Sequence, residues 1–122
     1  MTIEIPLKLP SLNDYIRACR GNKYKGARMK ADIEQEIGLY LTKMPKMNNP
    51  IEIHFHWIEG TKRRDLDNVC FAKKFILDAM VKYEKLKDDN RKYVVAFTDT
   101  FEYGKETKVI LDIKEVKCQN WR

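Results

Sequence analysis

The chain has 122 residues, enough for a single domain over 1–122 with one core, and too few for separate catalytic and binding modules. Hydrophobic residues make up 43% and charged residues 34%, which excludes a disordered chain, and no apolar run approaches the ~18 residues of a membrane span. The net charge is +6, and seven basic against two acidic residues fall in the first thirty positions, the asymmetry of a surface that meets a polyanion.

Residues 2–9, TIEIPLKL, alternate apolar and polar positions as a half-buried strand does, and Pro6 places that strand at a sheet edge. The next stretch, PSLNDYIRACRGNKYKG, mixes turn formers and basic residues without a sustained period, so a loop with at most a short helical piece is expected. From about Arg28 to Met44 the residues Met29, Ile33, Ile37, Tyr40 and Leu41 recur at helical spacing, and Pro45 is expected to end the helix. IEIHFHWI, 51–58, alternates as a strand with Ile51, Ile53, Phe55 and Trp57 on one face. From Asp67 a second helix is marked by Val69, Ala72, Phe75, Ile76, Ala79, Met80 and Tyr83. Two β-rich runs, 92–103 and 107–116, follow, with a hairpin expected at Gly104–Lys105. The predicted fold class is α+β, a small mixed sheet in βαβαββ order with two helices.

The N-terminus lacks the features of a signal peptide, so a cytoplasmic protein is the expectation. Cys19, Cys70 and Cys118 are odd in number and far apart, and read as reduced thiols.

The chemistry concentrates in RRDLDN, 63–68. Asp65 and Asp67 are two apart, and in extended chain such side chains project to one side. Carboxylates held that close repel unless a cation lies between them. Hard oxygen donors suit magnesium, with manganese possible. Asp88–Asp89 precedes the next strand and offers a third carboxylate if that strand end lies beside RRDLDN. Three acids around a metal can support phosphodiester hydrolysis. Lys74 is seven residues beyond Asp67 and returns to nearly the same helix face, whereas Lys73 points about 120° away.

RDLDN, then K-x-x-x-D-A-M at 74–80 and K-D-D at 87–89, together with PSLNDY at 10–15, resemble the RusA family of Holliday junction resolvases. The resemblance implies a divalent-metal endonuclease that cuts two symmetric strands of a four-way DNA junction as a homodimer. It implies that Asp65, Asp67 and Asp89 form the metal site and that Lys74 is the essential lysine. The gap between the DxD pair and the K-x-x-x-D block is longer than in the family's common form. Counting back from Asp78 selects Lys74, with Lys73 the alternative.

Residues 17–30 carry six basic residues and no acid, which suits phosphate contact. Arg17, Arg20, Lys23, Lys25 and Arg28 are candidate DNA-binding residues there, and Lys62, Arg63 and Arg64 stand beside the acidic pair. Plainer readings compete with each of these. Asp67 is also a natural N-cap, Lys74–Asp78 a natural surface salt bridge, Asp88–Asp89 a solvated turn, and the basic stretch a mobile loop. His54 and His56 share a strand face but have no third ligand at suitable spacing. Two other functions fit the residues, a non-catalytic nucleic-acid-binding protein and a nuclease acting on flaps or forks.

Overall fold

The computed structural model describes residues 1–116. The elements are β1 (Thr2–Ile5), α1 (Leu12–Gly21), α2 (Lys23–Tyr40), β2 (Ile51–Glu59), α3 (Leu66–Cys70), α4 (Lys73–Lys82), β3 (Val94–Tyr103) and β4 (Lys108–Glu115). Each helical segment between strands is thus a pair of helices, where the sequence pattern suggests one apiece.

The four strands lie in the order β1-β4-β2-β3. β2 and β3 run parallel, so the chain must cross over between them, and α3–α4 is that crossover. β4 runs antiparallel to both β1 and β2. The expected hairpin at Gly104–Lys105 therefore does not form. The short 104–107 connection instead passes the end of β2, where the Gly104 amide donates to the Glu59 carbonyl and the Gly60 amide to Thr107 Oγ1. β1 is an edge strand, as Pro6 indicated, and it stops at Ile5 rather than continuing to Leu9.

Alternation explains which side of the sheet is covered. Ile51, Ile53, Phe55 and Trp57 of β2, Val109, Leu111 and Ile113 of β4, and Ile3 and Ile5 of β1 are buried. They meet Phe75, Ile76, Leu77, Ala79 and Met80 of α4, and Ile37 and Leu41 at the end of α2. Removing such side chains from water supplies most of the drive to fold.

The basic stretch is not a loop. Ser11 caps α1 in a reciprocal capping box with Asp14, and Asn22 caps α2 by accepting from the Tyr24 amide at 2.8 Å. α1 and α2 form a helical hairpin so close that a Cβ at Gly26 would lie 2.4 Å from Cys19 Sγ. α2 consequently begins five residues before Arg28 and ends at Tyr40, ahead of Pro45. The second predicted helix is interrupted by a tight turn at Phe71–Ala72, where Lys74 and Phe75 bond back to the Phe71 and Ala72 carbonyls. Cys19 and Cys70 are free thiols. Cys118 lies outside the described residues.

Candidate active site

After β2, residues 60–65 carry the chain to α3. Asp65 is the extended N-cap residue, with φ −70° and ψ 154°, and its carboxylate does not make the capping bond. Asp67 lies in the first turn of the helix. The extended-chain argument for their convergence fails here, because only Asp65 is extended.

Lys74 is where distant parts of the chain meet. Its Nζ lies 3.1 Å from Asp78 Oδ1 and 3.6 Å from Asp89 Oδ2, linking α4 to the loop before β3. Lys30 of α2 contacts the other Asp78 oxygen at 3.0 Å and lies 3.7 Å from Glu34. Burial works to raise the Asp78 pKa, but hydrogen bonds from Lys30 and Lys74 outweigh it and hold the carboxyl below 3.8. The hydrogen bond to Asp78 in turn raises both lysines. The simple i,i+4 bridge is therefore present, and it is one part of a larger cluster. No sequence pattern singles out Lys30, because its partner is on another helix.

A cleft of about 530 Å³ runs along this cluster, lined by Leu12, Tyr15, Lys30, Asp67, Cys70, Phe71, Lys73, Lys74 and Phe75. Asp67 and Lys74 thus share one surface, and Lys74 reaches on to Asp89. Asp88 is otherwise engaged. One of its oxygens accepts from the Asp89 amide at 2.7 Å and the other from Asn90 Nδ2 at 3.1 Å, so it holds the turn.

Lys73 has a different environment from its neighbour. Its ammonium pairs with Asp99 Oδ2 at 2.5 Å, and the other Asp99 oxygen accepts from Trp57 Nε1 at 2.8 Å.

Magnesium and manganese bind hard oxygen donors and leave further positions to water and phosphate. The donors available fit that preference, since Asp65 leaves its cap bond unmade and Asp67 faces the cleft. Among the described residues no group of three His, Cys, Asp or Glu side chains is gathered as a ligand set. Of the three candidate carboxylates, Asp67 lines the cleft and Asp89 is reached through Lys74.

The basic candidates divide. Arg17 and Lys25 line, with Lys8, a second open cleft of about 490 Å³ between α1, α2 and the Leu9–Pro10 segment. Arg20, Lys23 and Arg28 are exposed on the same helical hairpin, and Lys62 and Arg63 are exposed before α3. Lys62 Nζ lies 5.0 Å from the centre of the Tyr103 ring. Arg64 is committed inward: it lies 2.9 Å from the buried Glu59 carboxylate and donates to the Leu9 carbonyl at 3.1 Å. His54 and His56 are on the open face of the sheet with both ring nitrogens engaged. His54 meets Thr98 and Thr100, and His56 meets Thr100 and Glu102.

A cleft lined by one carboxylate and three lysines thus lies in the same domain as a solvent-facing basic hairpin. Residues 4–114 match the family model described as Endodeoxyribonuclease RusA. The chain belongs to that family, whose members are Holliday junction resolving endonucleases. No curated protein matches it. Among the described residues, no helix is long and apolar enough to cross a membrane.

Proposed function

We propose that this chain is a magnesium-dependent endodeoxyribonuclease that cuts symmetric strands of four-way DNA junctions as a homodimer. The observation that carries this reading is Lys74: its ammonium reaches Asp89, and it lines the same cleft as Asp67. That Lys74 adjoins both segments, about twenty residues apart in sequence and each implied by the family resemblance, supports a shared site.

In this reading Asp65, Asp67 and Asp89 hold the metal, with manganese an alternative ion. When bound, the ion lowers the pKa of a water and neutralises charge on the phosphate. Lys74 steadies the anionic phosphate from the cleft wall, held toward it by Asp78. Arg17, Arg20, Lys23, Lys25, Arg28, Lys62 and Arg63 bind backbone phosphates, and Arg64 supports the fold through Glu59. Two cuts on strands related by a twofold axis call for two copies of the site, which a C2 pair supplies.

Incubation with labelled four-way junction, three-way junction, flap and linear duplex, with and without magnesium, tests the reading. Paired cuts in the four-way junction alone are expected. Equal cutting of flaps or forks would make it a branched-DNA nuclease of another kind, and binding without cutting would leave a non-catalytic binder.

A further inference from the structure

We propose that Asp99 is a positioning residue for the candidate metal site. It anchors and neutralises Lys73, so that the Lys73 ammonium does not compete with a divalent cation for Asp67. The inference rests on the reading of Asp67 as a metal donor.

Three elements meet at Asp99. Trp57 of β2 is buried at 3% exposure, and a buried indole N–H needs an acceptor. Asp99 of β3 provides it through Oδ1 at 2.8 Å, which leaves Oδ2 toward α4. Lys73, in the first turn of α4, fills that position. Its Nζ also lies 4.2 Å from the centre of the Phe97 ring and 5.4 Å from that of Phe55. The two charged side chains keep only 15% and 20% of their exposure. A cation gains on an aromatic face, and a paired charge gains in a partly dry site, so this ammonium is held twice over.

The location gives the pair its consequence. Lys73 borders the same cleft as Asp67, Cys70 and Lys74. An ammonium released from Asp99 would have Asp67 as an acidic group on the same cleft. A lysine there opposes a dication both by repulsion and by occupying the carboxylate. With Asp99 in place, the more exposed of the two neighbouring ammonium groups is that of Lys74, whose side chain is 56% exposed and paired with Asp78 and Asp89.

The test is Mn2+ binding to the full chain without DNA, followed by electron paramagnetic resonance of the free ion, with folding checked by circular dichroism. Asp99→Asn is expected to weaken Mn2+ at least tenfold, in the range of losses for groups that support metal ligands. Removing both charges, in Lys73→Met with Asp99→Asn, is expected to restore affinity to near wild type. Phe97→Leu, at a position 50% exposed and so tolerant of change, loosens the same ammonium and is expected to weaken Mn2+ about threefold. Asp67→Asn serves as the control and is expected to lose Mn2+ binding. A folded Asp99→Asn that binds Mn2+ normally while Asp67→Asn does not would overturn the role of Asp99 and leave the metal-site reading standing. If Asp99→Asn does not fold, Asp99→Ser, which removes the charge that holds Lys73 while keeping an oxygen acceptor, takes its place, and unchanged affinity in it overturns the role. A wild-type chain that binds no Mn2+ would overturn both readings.

Discussion

The α3–α4 cleft and the α1–α2 hairpin both carry many charges, and they treat them in opposite ways. In the cleft the lysines are paired: Lys30 and Lys74 on Asp78, Lys74 again on Asp89, and Lys73 on Asp99. On the hairpin Arg20, Lys23 and Arg28 face water, and none has an acidic partner within salt-bridge distance among the described residues. Paired charges fix side chains in place, which suits a site that must orient a reacting group. Unpaired surface cations are free to replace counterions along a nucleic-acid backbone, which suits affinity. In the proposed reading, chemistry and binding are thus assigned to different surfaces of one small domain.

The largest expected effect tests the cleft. Asp67→Asn should abolish junction cutting at saturating magnesium while leaving junction binding intact or tighter, because it removes one anion from a phosphate-facing surface. Gel-shift and cleavage assays on the same preparation measure both quantities. Near-normal cutting would remove Asp67 from the site.

Lys74→Met should lower single-turnover cleavage by roughly 10²–10³-fold, the loss typical when a group that stabilises transition-state charge is removed. Lys73→Met tests the distinction drawn between the neighbours: its cleavage loss should be smaller, since its ammonium is held by Asp99. A larger loss for Lys73 would reverse the assignment.

The hairpin is probed by salt. Replacing Arg17, Arg20, Lys23 and Lys25 together should weaken junction binding and flatten the plot of log affinity against log salt. The slope should change by roughly 0.9 for each duplex phosphate that is no longer neutralised. An unchanged slope would mean these residues do not touch the backbone.

The smallest effect concerns stability. Asp78 has its pKa held below 3.8 in the fold by its two lysines. Its contribution is therefore present above that value and lost as pH falls through the lower folded-state value. Asp78→Asn should lower the thermal midpoint at neutral pH, and the gap to wild type should narrow as the solution is acidified below about 3.8. A gap that stays constant with pH would show that the carboxylate charge is not what stabilises the cluster.

Strands are legible in the sequence where alternation is long enough to see, as in Ile51–Trp57 and Val109–Ile113. Their neighbours are not, because pairing is decided by the crossover through α3–α4 rather than by any local pattern. The hairpin at Gly104 is a sound local inference that the tertiary arrangement overrides. α1 and the start of α2 are hidden because the extended Asn22 breaks the helix between them, so no one helical period runs through the combined stretch. Ser11–Asp14 and Asn22, read as caps, are the available signals. In the site, Asp65, Asp67, Lys74 and Asp89 stand out by spacing and by family resemblance. Lys30 and Asp99 do not, since each acts on a residue more than twenty-five positions away.

The central claim is that the loop before β3 contributes one carboxylate, Asp89, to a site completed by α3 and α4. Magnesium-dependent cutting of a labelled four-way junction by Asp88→Asn and Asp89→Asn, measured side by side, tests it most directly. Asp88→Asn keeps an oxygen to accept from the Asp89 amide and gives up only the bond from Asn90 Nδ2, so it should cut at close to the wild-type rate, whereas Asp89→Asn should not cut. Loss of cutting in Asp88→Asn with retention in Asp89→Asn would contradict the account.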